Sequence, residues 1–198
     1  MTNIKICGLF REEDIEYVNS CKPDFAGFII DFPKSHRSID IQKAKKLIAK
    51  LDSSIKSVCV FVDAPLEKVV ECATFCDCVQ LHGNEDNAYI TAIRKKLPST
   101  KILKAFKVEQ AKDIELAKES IADIIILDNG YGTGVQFDWT LITNINKNVM
   151  IAGGINASNI REAIEKFAPY GIDVSSSVET EKIKDFEKIK KLMEVILK

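Results

Sequence analysis

The feature that most restricts the fold is a regular alternation of short apolar runs, rich in β-branched residues, with charged segments of helical period. Eight runs predict strands: Ile4–Cys7, Phe25–Ile30, Ser57–Val62, Cys78–His82, Ile102–Phe106, Asp123–Asp128, Val149–Ala152 and Ile172–Ser175. Eight segments predict helices: Glu12–Ser20, Ile41–Leu51, Leu66–Phe75, Asp86–Leu97, Gln110–Glu119, Trp139–Asn144, Ala157–Phe167 and Asp185–Leu197. Eight strand–helix units in 198 residues leave about 25 residues per unit, which predicts a (β/α)8 TIM barrel of near-minimal size.

The apolar runs also distinguish the barrel from its main alternative, a doubly wound open sheet. Ile124–Leu127 is apolar at every position, as expected of a parallel strand that is covered on both faces. An open sheet of this length would normally contain fewer units, and no Gly-x-Gly-x-x-Gly motif follows the first run. No linker, low-complexity tract or proline-rich break divides the chain, so residues 1–198 are predicted to form one barrel domain.

Composition and charge exclude several classes of partner. The net charge of −1 gives no indication of a nucleic-acid or membrane-surface partner. No apolar run approaches the ~18 residues of a membrane span, and the charged residues soon after the N-terminus are untypical of a signal peptide. We therefore expect a cytoplasmic protein without nucleic-acid or membrane partners. Helix faces that contact a second subunit have the same pattern as faces that pack on a barrel, so the sequence makes no prediction of the oligomeric state.

The six cysteines are expected to be free thiols, because the cytosol is reducing. Cys72, Cys76 and Cys78, with His82 nearby, resemble part of a metal site. Cys78 and His82 would, however, lie ~13 Å apart along one strand, and no second pair at CxxC spacing completes a tetrahedral set of ligands. No metal site is predicted, and these cysteines are expected to be small buried residues.

Side-chain alternation places several polar residues inside the predicted barrel. Ile4 and Ile6 suit the helix-facing side of the first strand, so Lys5 and Cys7 face inward. The same alternation turns these further side chains inward: Cys78, Gln80, His82, Asp128, Asp173 and Ser175. An inward polar side chain must find a partner or a ligand, so polar residues near the strand ends predict an active site there.

Two of these strands end at a group that can move a proton. Cys7 precedes Gly8, and a thiolate at this place can act as a nucleophile or a base if its environment lowers its pKa, with Lys5 as one source of positive charge. Asp128 precedes a loop with glycines at 130, 132 and 134, which lets a backbone approach a ligand closely. A buried inert thiol and a turn residue are the alternatives, because Asp-Asn-Gly favours turns.

The last two strand ends have the chemistry of a phosphate site. Barrels often bind phosphate with the loops after their last two strands, which here contain Gly153-Gly154 and Ser175-Ser176-Ser177. Two ordinary tight turns are the alternative. Arg37, after the second strand, could pair with a carboxylate in a bidentate fork or be only solvated. His82, before Gly83, could contact a ligand or be a hydrogen-bonded inward histidine, and it is included among the candidate substrate-binding residues.

Taken together, the chain resembles the phosphoribosylanthranilate isomerase family of tryptophan biosynthesis, essentially from end to end. The matching segments in the first half are Lys5-Ile6-Cys7-Gly8-Leu9 with Arg11, Ala26-Gly27-Phe28 with Ser35 and Arg37, Val60-Phe61-Val62, and Val79-Gln80-Leu81-His82-Gly83. Those in the second half are Leu127-Asp128 with Gly132-Thr133-Gly134 and Phe137-Asp138-Trp139, Ala152-Gly153-Gly154-Ile155, and Asp173-Val174-Ser175-Ser176 with Val178-Glu179. Several of these motifs are weak alone, but their order and spacing together are highly specific.

The resemblance implies an Amadori rearrangement of N-(5-phosphoribosyl)anthranilate to 1-(2-carboxyphenylamino)-1-deoxyribulose 5-phosphate, with neither a metal nor an organic cofactor. It implies that Asp128 is the general acid, which protonates the furanose ring oxygen, and that Cys7 is the general base, which removes the C2 proton. The substrate-binding residues that it implies are Arg37 for the anthranilate carboxylate and Gly154, Ser175 and Ser176 for the phosphate.

Two departures from the family pattern lie in or after the phosphate loop. The family usually has glycine where this chain has Ser177, and glycine shortly before Lys184-Asp185, where this chain has Glu181-Lys182-Ile183. If the first position needs a positive φ, serine there costs ~1 kcal/mol or more of local strain, which would weaken phosphate binding.

The remaining alternatives are other proteins that bind sugar phosphates. An epimerase or an indole-glycerol-phosphate-synthase-like lyase would usually have a metal-binding set, or a catalytic lysine with glutamates at strand ends, and the sequence has neither arrangement clearly. A non-catalytic barrel that binds a phosphorylated ligand is the alternative of a different class.

Overall fold

The computed structural model describes residues 2–129, 139–142 and 145–197. The strands in these ranges are β1 (Asn3–Cys7), β2 (Phe25–Ile30), β3 (Ser38–Ile39), β4 (Lys56–Phe61), β5 (Cys78–Leu81), β6 (Lys101–Lys107), β7 (Ile124–Asp128), β8 (Asn148–Ile151), β9 (Gly171–Val174), β10 (Glu179–Thr180) and β11 (Ile183–Lys184). The α-helices are α1 (Glu12–Cys21), α2 (Ile41–Ile48), α3 (Leu66–Cys72), α4 (Asn87–Lys96), α5 (Ala111–Glu119), α6 (Ile160–Phe167) and α7 (Phe186–Leu197). None of the helices within these ranges is long and apolar enough to cross a membrane.

Eight of the strands form a closed parallel barrel. They pair in the order β1-β9-β8-β7-β6-β5-β4-β2, and β2 pairs with β1 to complete the ring. Lys5 on β1 has Phe25 of β2 as its neighbour on one side and Asp173 of β9 on the other. The closed ring confirms the predicted (β/α)8 barrel and excludes the open doubly wound sheet. Because all eight strands are parallel, their carboxyl ends meet at one mouth.

Alternate side chains along each strand build two separate layers of core. Val79 and Leu81 pack between the barrel and the helices, whereas Cys78 packs inside the barrel with Ile124 and Ile126. These placements confirm the predicted alternation. The barrel interior also contains fully buried polar side chains, Lys5 and Gln80 among them.

The segment between β7 and β8 differs from its predicted helix, Trp139–Asn144. Within the described residues it is a 3₁₀ helix at Trp139–Leu141, and positions 143 and 144 lie outside them. Its anchor is Trp139, which is 3% exposed and whose ring meets that of Phe167 edge-on at 5.8 Å between centroids. Aromatic packing against α6, rather than a helical stripe, therefore holds this segment on the barrel.

Helix α6 begins at Ile160 rather than at the predicted Ala157. The backbone N–H of Asn156 donates to Asn159 Oδ1 at 2.8 Å, and that of Ser158 donates to Asn156 Oδ1 at 2.8 Å. The polar residues that suggested a helix start form a turn of their own, because short amide side chains compete for the backbone donors that a helix would use.

Two short pairings were missing from the prediction. Strand β3 pairs in parallel with the carboxyl end of β2, with Ile39 opposite Ile30. Strands β10 and β11 form an antiparallel hairpin after β9, with Glu179 opposite Lys184. A 3₁₀ helix, Ser176–Val178, joins β9 to this hairpin. Elements of two or three residues are too short for a hydrophobic period to predict them.

Candidate active site

A buried ion pair lies inside the barrel next to Cys7. Lys5 Nζ donates to the two carboxylate oxygens of Asp173 at 3.0 and 2.9 Å. Lys5 is fully buried, and Asp173 is 8% exposed. The two residues face each other because β1 and β9 are neighbouring strands in which Lys5 and Asp173 are in register. Lys5 and Asp173 were each predicted to face inward, and in the structure each provides the partner that the other's buried charge requires.

Burial and the lysine of this ion pair shift the pKa of the Cys7 thiol in opposite directions. Burial raises the pKa of Cys7, the charge of Lys5 lowers it, the charge of Asp173 raises it, and the net result is a pKa above the ordinary value of 9.0. Burial alone would lower the pKa of Lys5, but the charges of Asp173 and Cys7 outweigh it and keep that pKa raised. Cys7 is therefore a thiol at neutral pH in this arrangement, beside a permanent cation that favours its deprotonation.

Gly8 allows two candidate binding residues to meet at Cys7. Its φ is +80°, and a Cβ at this position would overlap Arg37 Cδ and lie 3.2 Å from Ser175 Oγ. Ser175 Oγ donates to the carbonyl oxygen of Cys7 at 2.9 Å. A side chain at position 8 would push Arg37 and Ser175 away, so glycine is required for both its conformation and its size.

Arg37 is partly buried and forms a bidentate pair with Glu179. Arg37 Nε donates to Oε1 and Nη2 donates to Oε2, both at 2.7 Å. Lys184 Nζ contacts the same carboxylate and also donates to the carbonyl oxygen of Ser175 at 3.0 Å. Burial would raise the pKa of Glu179, but the hydrogen bonds from Arg37 and the charge of Lys184 outweigh it and hold that pKa below 4.5.

Asp128 lies at the carboxyl end of β7, on the same mouth. It is 7% exposed, and its Oδ2 is 3.5 Å from His82 Nε2. A Cβ on Gly153 would lie 2.8 Å from its Oδ1, so the loop after β8 passes close to this carboxylate. Burial raises the pKa of Asp173, the charge of Lys5 lowers it, and the charges of Asp128 and His82 act on it as well. Asp128, His82 and Asp173 thus belong to one electrostatic cluster.

The predicted glycine-rich loop after Asp128, with Gly130, Gly132, Gly134 and the Phe137-Asp138 motif, lies outside the described residues.

A buried carboxylate supports the loop that carries His82. Glu85 accepts hydrogen bonds from the backbone N–H groups of Asp63 and Gly83, each at 2.8 Å, and lies 3.2 Å from Lys104 Nζ. Lys104 Nζ also donates to the carbonyl oxygen of Gly83 at 2.7 Å. The loops after β4 and β5 are therefore tied to strand β6, which fixes the backbone directly after His82.

The glycine and serine candidates for phosphate occupy neighbouring strand ends. Gly153 and Gly154, after β8, have φ values of +74° and +72°, a conformation that glycine adopts without strain. Ser175 and Ser176 follow β9, the neighbour of β8 in the barrel. The two loops are thus adjacent at the mouth, as the sequence predicts for this pair of strands.

The expected strain at Ser177 is absent, because this residue lies in the 3₁₀ helix and does not have a positive φ. Its Oγ is buried without a hydrogen-bond partner among the described residues. The strain lies instead at the second departure. Glu181 and Lys182 have φ values of 51° and 66° and form the two-residue turn between Thr180 and Ile183. A hairpin turn with two positive φ values is of type I′, which favours Asn-Gly.

Sequence reasoning assigned no role to Asp173, Glu179 or Lys184. The inward alternation of Lys5 and Asp173 on the first and last strands of a closed barrel was a usable signal for the first pair. Glu179 and Lys184 had no such signal, because their hairpin is formed by four paired residues after the last barrel strand.

The cysteine cluster considered for a metal has a different environment. Cys72 is buried in the layer between barrel and helices, with Cys76 packed against it, whereas Cys78 lies in the barrel interior. The six cysteines are free. Among the described residues, no group of three or more His, Cys, Asp or Glu side chains could hold a metal ion.

The closed parallel barrel, with a cluster of titratable groups at the carboxyl ends of its strands, defines the chain as a (β/α)8-barrel enzyme. A family model described as N-(5'phosphoribosyl)anthranilate (PRA) isomerase matches residues 4–195. The chain belongs to this family, and it is an isomerase of tryptophan biosynthesis.

Relatives with this name match the chain over nearly its full length. The N-(5'-phosphoribosyl)anthranilate isomerase of Clostridium acetobutylicum is 45% identical, with 98% of this chain and 97% of the relative covered. That of a Thermoanaerobacter species is 41% identical, with 99% and 98% covered.

Solved structures agree. A phosphoribosyl anthranilate isomerase in complex with reduced 1-(o-carboxyphenylamino)-1-deoxyribulose 5-phosphate has a TM-score of 0.85 at 31% identity, covering 98% of this chain and 97% of its own. The Thermotoga maritima enzyme has a TM-score of 0.86 at 31% identity, with 98% of each chain covered.

Proposed function

We propose that this chain converts N-(5'-phosphoribosyl)anthranilate into 1-(2-carboxyphenylamino)-1-deoxyribulose 5-phosphate, with Asp128 as the general acid and Cys7 as the general base. Family membership supports the reaction. One structural observation supports placing both roles at this site: the charge of Asp173 acts on Cys7, and the charge of Asp128 acts in turn on Asp173. A proton donor and a proton acceptor therefore lie around the same buried group, on strands that end at the same mouth.

Asp128 begins the reaction by giving its proton to the furanose ring oxygen. The bond between this oxygen and C1 then breaks, and the nitrogen lone pair forms a Schiff base at C1. His82 Nε2, 3.5 Å from Asp128 Oδ2, restricts the orientation of the carboxyl group toward the substrate. Proton donation by a positioned carboxyl group typically contributes about 10²–10⁴-fold to a rate.

Cys7 then removes the proton from C2 of the Schiff base. The electron pair of the C–H bond forms a C1–C2 double bond while the π electrons of the C1–N bond return to nitrogen. The resulting enolamine gains a proton at C1 and loses the proton of the C2 hydroxyl, which gives the ketone at C2. The base must be a thiolate, and the pKa of Cys7 is raised by burial. The Lys5 cation compensates in part, because it stabilises the negative sulfur without being able to move away from Asp173.

Two anionic groups of the substrate, its carboxylate and its phosphate, would hold the ribose between Asp128 and Cys7. Arg37 would bind the anthranilate carboxylate, and its side chain already lies over Gly8, next to Cys7. Gly154, Ser175 and Ser176 would bind the phosphate from the two adjacent loops after β8 and β9. The reduced product with which a relative was crystallised has both a carboxyl group and a phosphate.

The test is turnover by the purified chain. The protein, treated with EDTA, is expected to consume N-(5'-phosphoribosyl)anthranilate and to form the deoxyribulose phosphate product. A folded sample that binds the reduced product but shows no turnover would contradict the proposal and favour a non-catalytic sugar-phosphate binder. A folded sample that does neither would exclude both functions.

A further inference from the structure

Among the residues that the structure describes, the guanidinium of Arg37 is held along one edge only. Its Nε and Nη2 each donate one hydrogen bond to Glu179, which occupies two of the five N–H donors of an arginine. The three others lie on Nη1 and on the far side of Nη2. They form a second edge, which can make another bidentate pair with a planar carboxylate. One arginine can thus be fixed by an internal carboxylate and still bind an external one.

Glu179 is itself firmly placed. It is 8% exposed, Lys184 Nζ contacts its Oε1, and His36 Nε2 lies 4.0 Å from its Oε2. Lys184 is 2% exposed and is tied through its ammonium group to the backbone of Ser175. Since two cations surround one carboxylate, Arg37, Glu179 and Lys184 together have a net positive charge. A bound anion would balance this charge.

The alkyl part of Arg37 is restrained as well. Its Cδ and Cγ pack on Gly8, where a Cβ would overlap the first and lie 3.4 Å from the second. The side chain is therefore fixed at both ends: by the Gly8 backbone beside Cys7 and by Glu179 on β10. A long side chain immobilised before the ligand arrives does not lose its rotamer freedom on binding.

We propose that Glu179 is a positioning residue, which holds the Nε–Nη2 edge of Arg37 so that the other edge is preorganised to bind the carboxylate of the substrate. Lys184 keeps Glu179 in place and links it to Ser175 at the predicted phosphate end of the site. This inference rests on the proposed role of Arg37 as the carboxylate-binding residue. It makes the β10–β11 hairpin part of substrate selection, although no residue of the hairpin needs to touch the substrate.

The test compares two ligands that differ only in the carboxylate. One is the reduced product, and the other is the same compound with an unsubstituted phenyl ring. In Glu179→Gln, affinity for the first ligand is expected to fall about tenfold, as for the loss of one preorganised long side chain, with little change for the second. In turnover, KM is expected to rise by a similar factor while kcat changes little. Glu181→Gln, on the same hairpin and exposed, is the matched control and should change neither.

Equal losses for both ligands in Glu179→Gln would overturn the inference, because they would indicate a general loss of the site. If Glu179→Gln does not fold, Glu179→Asp retains the charge but withdraws it by one methylene, and the same selective loss is expected. Arg37→Lys separates this inference from the proposed function. Equal losses of affinity for the two ligands in Arg37→Lys would refute the role of Arg37. A selective loss for the carboxylate ligand there, but not in the Glu179 variants, would refute only the role of Glu179.

Discussion

Lys5 Nζ bridges the two carboxylate oxygens of Asp173 at 3.0 and 2.9 Å inside the barrel, next to the thiol that we propose as the catalytic base. The pair explains how a lysine can remain charged at a fully buried position. Besides pairing with Asp173, Lys5 has a second role, because its charge is the strongest influence that lowers the pKa of Cys7. Structure and catalysis thus depend on one ion pair.

Replacing Lys5 by methionine is expected to shift the reactivity of Cys7 to higher pH. The change removes the cation that favours the thiolate and leaves Asp173, whose charge raises the pKa of Cys7. The measurement is the rate of Cys7 alkylation by iodoacetamide over a pH series, with Cys7→Ala used to subtract the other thiols. Lys112→Met, on the exposed face of α5, is the control. An unchanged profile in Lys5→Met would show that Lys5 does not influence the thiol.

Cys7→Ala is expected to lower kcat by about 10²–10⁴-fold, because no other base would be placed at C2 of the substrate. The fold should persist, since removing one sulfur atom at the mouth leaves the other side chains of the barrel interior in place. Steady-state kinetics and circular dichroism measure the two effects. Cys21→Ala, on α1, should retain full activity. Wild-type turnover in Cys7→Ala would refute its role as the base.

Asp128→Asn is expected to lower kcat by a similar factor, about 10²–10⁴-fold, because an amide cannot protonate the ring oxygen. Affinity for the reduced product should change much less, since the ring is already open in that ligand. Asp40→Asn is a suitable control: Asp40 caps α2 by accepting from Lys43 N–H at 2.7 Å, and asparagine caps equally well. A loss of affinity that fully accounts for the loss of rate would argue against acid catalysis.

The folded protein is expected to lose the stabilising contribution of Glu179 in acid. The pKa of Glu179 in the folded state lies below 4.5, so its contribution is complete above that pH and disappears as the pH falls through the lower, folded value. The free energy of unfolding of the wild type and of Glu179→Gln should therefore differ most at neutral pH and converge below pH 4.5. Urea denaturation over a pH series measures this. A difference that grows in acid would contradict the direction of the pKa shift.

Lys182→Gly is expected to raise the free energy of unfolding by about 1 kcal/mol, because Lys182 has a φ of 66° in a turn that favours glycine. Urea denaturation at neutral pH measures the change. Lys182→Ala is the matched control and should not stabilise the protein, since alanine has the same Cβ as lysine. A gain in both variants would show that loss of the lysine charge, rather than relief of backbone strain, is responsible.

Patterns with a clear period were predictable, and short irregular pieces were not. Each of the eight barrel strands was predicted to within a residue or so at its ends, because buried parallel strands are continuous apolar runs. The hairpin of β10 and β11 escaped prediction because two paired residues on each side have no period. The helix expected at Trp139–Asn144 was wrong within its described part, because a single buried tryptophan replaced a helical stripe.

In the candidate site, too, some residues were predictable from the sequence, whereas the contacts between them were not. The family motifs and the strand ends indicated Cys7, Asp128, Arg37, His82, Gly154, Ser175 and Ser176. The motif segments included Glu179 but assigned it no role, and they missed the partnership of Arg37 with Glu179 and Lys184. Strain was expected at Ser177 and lies at Glu181 and Lys182, because backbone conformation at a single position depends on the turn in which it is placed.

The amino-acid sequence by itself determined the barrel, the order of its strands and the inward direction of Lys5, Cys7, Asp128 and Asp173, because a two-residue period and eight apolar runs leave little choice. Only the tertiary structure decided which of these groups meet. Closing the ring puts β1 beside β9, and this contact pairs Lys5 with Asp173 across 168 positions of the chain. Charges interact through space rather than along the sequence, so the protonation of Cys7 and the orientation of Arg37 are properties of the folded barrel alone.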